Sequence, residues 1–219
     1  MIKENVKMIL AQLPAGVQIV VAGKSRSTSE LLEAIESGVK IIGENYVQEA
    51  EDKFEIIGGN VQWHFIGHLQ KNKVKRAVAI FDMIQTIDSL EIAREIDKAC
   101  QLRNRVMPVL IEINCAREKQ KFGVLPEDVE SLAKQVCQLN NVRIQGLMTM
   151  GPFLKNSEEL RPFFRETGQL FEKMKSLNLP SVEMNYLSMG MSDSYQIAIQ
   201  EGANLVRIGT AIFVKESLD

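Results

Sequence analysis

The stretch VQIVVAGKSRSTSELLEAI, residues 17–35, begins as a buried β-strand and ends as an α-helix. Its β-branched start is typical of a strand, and the spacing of the later apolar residues is typical of a helix. Lys24 lies at the junction between the two elements. A lysine there is either a solvated charge that follows the strand or a group placed for chemistry.

The same alternation of strand and helix repeats along the chain. Strands are predicted at 17–23, 40–44, 61–67, 81–86, 106–114, 142–150, 182–189 and 205–209. Helices are predicted at 28–37, 45–57, 70–78, 89–103, 126–139, 157–178 and 192–201, with a short last one from Ala211 and an amphipathic one before Pro14. Consecutive βα units without a linker predict an α/β fold, a single (β/α)8 TIM barrel over residues 1–219 with an extra N-terminal helix.

A doubly wound open sheet is the structural alternative to a closed barrel. It predicts a G-x-G-x-x-G loop after the first strand, and AGKSRS, residues 22–27, does not match that pattern.

Composition describes an ordinary globular protein. The 219 residues are 45% hydrophobic and 25% charged, with a net charge of -2, so neither a disordered chain nor a nucleic-acid surface is indicated. Apolar stretches stay well below the roughly 18 residues of a membrane span. Three cysteines form an odd set that fits reduced thiols. We therefore expect a cytoplasmic protein without nucleic-acid or membrane partners, and a monomer is favoured.

Only two histidines occur, His64 and His68 in WHFIGHL. Their spacing could suggest a metal pair, but Gly67 lies between them and no cluster of acidic or thiol ligands accompanies them. A polar pair in a loop or pocket is the preferred interpretation, and no metal site is predicted.

In a barrel of this kind, the carboxyl ends of the strands line the active-site face. The polar and glycine residues at these ends are Lys24, Glu44, Asn45, His64, Gly67, Gln85, Thr86, Asn114, Thr149, Ser188, Arg207, Gly209 and Thr210. Strand side chains alternate between two faces, so Val20, Ala22 and Lys24 share a side, as do Leu205 and Arg207. Closure makes the first and last strands neighbours, so Lys24 and Arg207 could project into the same mouth. Two cations there favour a bound anion and suit a lysine that forms a Schiff base.

The last two strand ends carry glycine and hydroxyl residues, in LSMGMSDSYQ (187–196) and VRIGTAIF (206–213). Loops at these positions are frequent phosphate sites in such barrels. A lysine opposite a phosphate site suits a phosphorylated aldehyde, with pyridoxal 5'-phosphate (PLP) as the candidate cofactor. Taken singly, the lysine could be a solvated charge and the Gly-Thr pair a turn and helix cap.

Several motifs together resemble the pyridoxal phosphate homeostasis protein family, which is related to the N-terminal barrel of alanine racemases. They are GKS (23–25), GENYVQEA (43–50), WHFIGHLQKNK (63–73), KFGV (121–124), GLMTM (146–150) and LSMGMSDSYQIAIQEGANLVRIGTAIF (187–213). The resemblance implies a (β/α)8 barrel that holds PLP as a Schiff base on Lys24.

The resemblance also implies roles for the other motif residues. Asn45 is expected near the cofactor ring and Arg207 at the pyridine nitrogen. The expected phosphate ligands are Ser188, Gly209 and Thr210, with Ser192 as a second candidate serine. The chain departs from the family at Gly23, where serine is frequent, and at Val214, where glycine is usual.

The function implied is PLP binding for intracellular PLP (vitamin B6) homeostasis, with PLP-dependent apo-enzymes as candidate partners. A single-domain PLP-dependent amino-acid racemase is the alternative, and a barrel enzyme for phosphorylated metabolites without PLP is a third class. Arginine at the ring nitrogen leaves the pyridine neutral and weakens carbanion stabilisation. Racemisation needs a base on each face of the substrate, and beside Lys24 only Tyr46 and Tyr186 are near. We therefore expect weak racemase activity at most.

Overall fold

The predicted strands all form, and they close into a barrel. The computed structural model describes residues 1–213 and contains eight parallel strands in sequence order. They are β1 Gln18–Ala22, β2 Ile41–Glu44, β3 Gln62–Phe65, β4 Met83–Ile87, β5 Met107–Ile113, β6 Val142–Thr149, β7 Val182–Ser188 and β8 Leu205–Ile208. β1 pairs with β8 from Gln18 opposite Leu205 to Val21 opposite Ile208. This closure confirms the barrel and excludes the doubly wound sheet.

Helices surround the barrel as predicted. They are α1 Ile2–Gln12, α2 Thr28–Glu36, α3 Val47–Ile57, α4 Val74–Ile80, α5 Leu90–Gln101, α6 Val129–Val136, α7 Arg161–Ser176, α8 Tyr195–Gln200 and α9 Thr210–Phe213. α1 is the extra N-terminal helix. Short 3-10 turns account for the early starts predicted for α4, α6 and α7, at Lys71–Lys73, Pro126–Asp128 and Ser157–Leu160. Val214 and the rest of the predicted 1–219 domain lie outside the described residues.

Local sequence explains where α2 and α3 begin. Ser27 and Glu30 form a capping box, in which the Ser27 side chain accepts from the Glu30 amide and the Glu30 carboxylate accepts from the Ser27 amide. Such reciprocal bonds satisfy amides that have no partner inside the helix. α3 starts at Val47 and not at the predicted residue 45, because Tyr46 has extended backbone angles. Asn45 is therefore left in the loop at the barrel mouth.

Alternation along the strands separates two apolar layers. The outer layer packs between strands and helices and contains the largest buried rings, among them Trp63, Phe65 and Phe164. The inner layer fills the barrel with Val20, Ile41, Ile66, Met83, Leu110, Met148 and Leu205. Above this apolar filling, towards the carboxyl ends of the strands, the interior becomes polar. Val20 and Ala22, predicted to share one side of β1, both belong to this inner layer.

Gly146 marks an irregularity in the sheet. The pairing of β6 shifts register against both β5 and β7 close to this residue. Gly146 has φ +149°, and a Cβ placed there would overlap the backbone carbonyl of Tyr186 on β7. Only glycine leaves room for this close approach of two strands.

Among residues 1–213, no helix combines the length and the apolar character that crossing a membrane requires.

Candidate functional site

A chain of hydrogen bonds crosses the barrel below its mouth. Arg207 on β8 donates through Nη1 to Ser188 Oγ at 2.6 Å and through Nη2 to the Thr149 carbonyl at 2.8 Å. The Ser188 hydroxyl donates to Gln85 Oε1 at 2.7 Å, and the Gln85 amide donates to His64 Nδ1 at 2.9 Å. These hydrogen bonds link five strands, β8, β7, β6, β4 and β3.

Burial determines the charge states of His64 and Arg207, which lie at the two ends of this series of hydrogen bonds. Desolvation lowers the pKa of His64 to about 3, so its ring is neutral and its Nδ1 accepts from Gln85. Desolvation also lowers the pKa of Arg207 to about 10, against a smaller opposing effect of Glu112. Arg207 therefore remains a cation at neutral pH, and its bonded partners are neutral groups.

The structure separates the two candidate serines. Ser188 is fully buried, and its hydroxyl both accepts from Arg207 and donates to Gln85. The role of Ser188 as a phosphate ligand stays a prediction, and in this structure its hydroxyl is enclosed and bonded twice within the barrel. Ser192 instead accepts from the backbone amides of Gly209 and Ala211, both at 3.2 Å from its Oγ.

The amides of Gly209 and Ala211 form a small oxygen-binding cradle at the start of α9. Two N–H groups converge on one oxygen, which is the arrangement that holds a phosphate oxygen in backbone sites. The predicted residues Gly209 and Thr210 lie in this cradle or directly beside it. Thr210 is exposed, so its hydroxyl is free to turn towards a bound anion.

Lys24 follows β1 at the barrel mouth and is exposed. Because β1 pairs with β8, Lys24 and the cradle belong to neighbouring strand ends. Arg207 lies two residues before Gly209, on the inner face of the same strand. The three predicted elements, a lysine, a buried arginine and a backbone cradle, thus occupy one side of the mouth.

A cleft of about 790 Å³ opens on the other side of the mouth, between the loops after β2, β3, β5 and β6. Asn45, Glu112 and Met150 line it, and His68 and Phe122 stack at its edge with ring centroids 3.6 Å apart. The two histidines thus have separate environments, which agrees with a polar interpretation of the WHFIGHL motif.

Three other candidates at strand ends, Thr86, Thr149 and Asn114, form hydrogen bonds to the backbone at the barrel mouth. The Thr86 hydroxyl donates to the Gly67 carbonyl at 2.6 Å, and the Thr149 hydroxyl donates to a backbone carbonyl of β5 at 2.8 Å. The Asn114 side chain bonds the backbone of Glu118 twice. These polar groups fix the shape of the mouth, since their hydrogen-bonding atoms are occupied by the chain itself.

Glu112 on β5 is a buried carboxyl group that faces the barrel interior and lines the cleft. Its pKa is raised to about 7, first by burial and then by the nearby charge of Asp88, while Arg207 opposes the shift. A carboxyl group of this kind is part protonated at neutral pH, so it donates or accepts hydrogen bonds according to the pH.

We expect Glu112 to make the protein less stable as the pH rises. The pKa in the folded state, about 7, lies above the ordinary glutamate value of 4.5, so the folded state binds more protons between these two values. The stability from this group is complete below pH 4.5 and is lost as pH rises through 7. Relative to Glu112→Gln, the free energy of unfolding should fall by about 3 kcal/mol across this range. Urea unfolding of both proteins from pH 5 to pH 8 measures the difference, and parallel curves would contradict the prediction.

Comparison with known proteins agrees with the barrel fold. The family model described as "Alanine racemase, N-terminal domain" matches residues 1–216. The chain belongs to this family.

Relatives within the alanine racemase N-terminal domain family carry a more specific name. A pyridoxal phosphate homeostasis protein of Aquifex aeolicus is 40% identical over 193 residues, which cover 88% of this chain and 84% of the relative. The protein of that name from Escherichia coli is 37% identical over 206 residues, covering 91% and 86%.

Solved structures of the family have the same fold. PipY of Synechococcus elongatus, solved with PLP bound, is 30% identical with a TM-score of 0.89, covering 97% of this chain and 100% of PipY. An alanine racemase of Clostridium difficile shares the fold at 14% identity, with a TM-score of 0.81 over 100% of this chain and 60% of the racemase. The resemblance of the motifs to this family is thereby confirmed.

Two features of the site were not predicted from the sequence: the buried Glu112 and the contacts of α3 with the Lys24 loop. Glu112 shares the inner face of β5 with Leu110, and strand alternation alone would have placed it in the barrel. The contacts of Lys53 and Glu49 with the Lys24 loop had no local signal, because helix and loop are joined only through tertiary packing.

Proposed function

We propose that this protein binds PLP reversibly as a Schiff base on Lys24 and serves intracellular PLP homeostasis. The observation that carries the proposal is the pair of amides, from Gly209 and Ala211, that converge on Ser192 Oγ beside the strand bearing Lys24. A phosphate oxygen would replace Ser192 Oγ as the acceptor of these two amides, while the Lys24 amine would reach an aldehyde at the mouth. PLP supplies an aldehyde for imine formation and a ring that withdraws electrons from bound amino acids.

Each residue then has a defined task. The Lys24 amine, in its neutral form, would condense with an aldehyde: the C=O bond is replaced by a C=N bond, and the aldehyde oxygen leaves as water with the two amine protons. The Gly209 amide, the Thr210 hydroxyl and Ser192 would hold the phosphate group. The Arg207 guanidinium would donate to the pyridine nitrogen, and Asn45, which lines the cleft, would border the ring.

Arg207 favours storage over catalysis. Its charge persists at neutral pH because its pKa is about 10. A cation that donates to the pyridine nitrogen keeps this nitrogen unprotonated, and an unprotonated ring is a weaker electron sink. The positions of Tyr46 and Tyr186, the candidates for the second base of a racemase, also favour storage. Tyr186 packs against the apolar filling of the barrel, and Tyr46 is exposed at the cleft.

Transfer of cofactor to an apo-enzyme tests the carrier role. We expect PLP-loaded protein, freed of unbound PLP, to restore the activity of a PLP-dependent apo-enzyme while losing its own imine absorbance at about 420 nm. Lys24→Ala protein treated identically is the control and should restore none. An acceptor that stays inactive beside a fully loaded donor would contradict the carrier role.

Proton exchange tests the racemase alternative. With PLP-loaded protein in deuterated water, we expect α-proton exchange across a panel of amino acids to stay near the rate with free PLP. Fast exchange that disappears in Lys24→Ala would establish the racemase instead. Magnetic resonance of the amino acids measures the exchange directly.

We further propose a cytoplasmic monomer whose recipients are PLP-dependent apo-enzymes. The three cysteines, Cys100, Cys115 and Cys137, are buried thiols without a disulfide, which suits a reducing compartment. Light scattering of the purified protein measures the mass, and a dimer mass at micromolar concentration would contradict the monomer.

A further inference from the structure

The loop that carries Lys24 is held by α3 on both sides of the lysine. Before it, the Gly23 carbonyl accepts from Lys53 Nζ at 2.7 Å. After it, the Ser25 amide donates to Glu49 Oε2 at 3.2 Å. The peptide units that flank Lys24 are thus bonded to two side chains one turn apart on the same helix.

Lys53 is buried, and its ammonium group lies between two carboxylates. Lys53 Nζ is 2.7 Å from Glu44 Oε1 and 3.5 Å from Glu49 Oε2. Burial raises the pKa of Glu44, while the hydrogen bond and the charge of Lys53 oppose this shift. The second oxygen of Glu44, Oε2, is buried without a hydrogen-bond partner. Such a buried ion pair is weak as a source of stability, so its place beside the lysine loop calls for another role.

The backbone around Lys24 is shaped to accept this ion pair. A Cβ at Gly23 would overlap Glu44 Oε1, so the absence of a side chain lets the carboxylate reach the loop. Ser25 has φ +58°, in the left-handed region that non-glycine residues rarely adopt. A conformation of this kind persists only where the surroundings determine it strongly.

We propose that Lys53, held by Glu44 and Glu49, is a positioning residue that fixes the Lys24 loop and aims the lysine amine into the barrel mouth. This inference rests on the proposed function, because it assigns a purpose to the loop only if Lys24 bonds the cofactor. The Lys24 side chain itself is exposed and flexible, so its direction depends on its backbone. Fixing the backbone increases the fraction of time in which the amine faces the aldehyde.

The decisive variant is Glu49→Ala, with Glu55→Ala as the matched control. Both residues lie on α3, and Glu55 is exposed. Glu49 is half-exposed, with 38% of its side chain accessible, so its removal should leave the fold intact. Lys53→Met serves as a second variant that removes the bond to the Gly23 carbonyl, with Lys75→Met, on an exposed position of α4, as its control.

Three measurements separate positioning from support of the fold. The first is the rate of imine formation after apo-protein is mixed with PLP, with the site confirmed by borohydride reduction and peptide mapping. The second is the affinity for pyridoxine 5'-phosphate, which has the phosphate but no aldehyde. The third is the melting temperature. We expect Glu49→Ala to slow imine formation roughly tenfold to a hundredfold. Its affinity for pyridoxine 5'-phosphate, the alcohol analogue of PLP, and its melting temperature should equal those of Glu55→Ala.

Other outcomes overturn the inference in distinct ways. Equal imine rates in Glu49→Ala and Glu55→Ala would show that the loop needs no such contact. A slower rate accompanied by an equal loss of alcohol affinity or of melting temperature would show support of the fold only. If the unsubstituted protein forms no Lys24 adduct while it still binds the alcohol, the proposed function fails and this inference with it.

Discussion

Replacement of Lys24 by alanine should abolish the imine absorbance at about 420 nm of the PLP-loaded protein. The lysine is the amine at the mouth that neighbours the oxygen-binding cradle through the pairing of β1 with β8. Without it, no covalent bond to the aldehyde forms, and cofactor should be lost on gel filtration. Absorbance after gel filtration, followed by borohydride reduction and peptide mapping, measures the loss.

Lys40→Ala is the control for this experiment. Lys40 is also exposed and next to a strand, but it precedes β2 and so lies at the opposite end of the barrel. It should keep the full absorbance. Because the cradle is unaffected, Lys24→Ala should still bind pyridoxine 5'-phosphate with the affinity of the unsubstituted protein. Absorbance at about 420 nm that survives in Lys24→Ala would assign the imine to another lysine.

Replacement of Gly146 by alanine should cause a large loss of stability. The new Cβ would overlap the Tyr186 carbonyl, and φ at this position is +149°. The obstructing atom belongs to the backbone of β7, so it cannot turn away as a side chain could. We expect the free energy of unfolding to fall by about 3 kcal/mol or more. Urea unfolding followed by circular dichroism measures it.

Gly59→Ala provides the comparison for Gly146→Ala. Gly59 has an ordinary negative φ of -85°, and a Cβ there would meet open space. We expect a change within about 1 kcal/mol, because the position accepts alanine without strain. Similar unfolding midpoints for the two variants would contradict the importance of the close strand approach. Gly146→Ala should also affect the site, because Ser188, which accepts from Arg207, follows Tyr186 on the same strand.

The buried cation of Arg207 illustrates a conflict between stability and function. Its guanidinium group is desolvated, and it bonds a hydroxyl, a backbone carbonyl and more weakly a thioether. An apolar residue would avoid that desolvation. A position that breaks the packing pattern in this way is expected at a functional site. Here it would keep the bound ring unprotonated and so favour a stored cofactor over a reactive one.

Much of this molecule follows from local patterns in its sequence. The strands and helices were predictable because periodicity of two or of 3.6 residues is a property of neighbouring residues. Strand alternation placed Val20, Ala22 and Arg207 inside the barrel, and the βα repeat closed β1 against β8. The sequence alone therefore sufficed to predict that Lys24 lies beside the end of β8.

Other features were decided only by the tertiary structure. Ser188 bonds Gln85 across 103 positions of the chain, whereas Ser192 accepts from the Gly209 amide. Lys53 reaches the Gly23 carbonyl from a different βα unit. Both outcomes depend on the register and closure of the whole barrel, and no local pattern encodes the distance between side chains that are so far apart in sequence. The identity of the strand-end residues came from the sequence, and their hydrogen-bond partners came from the fold.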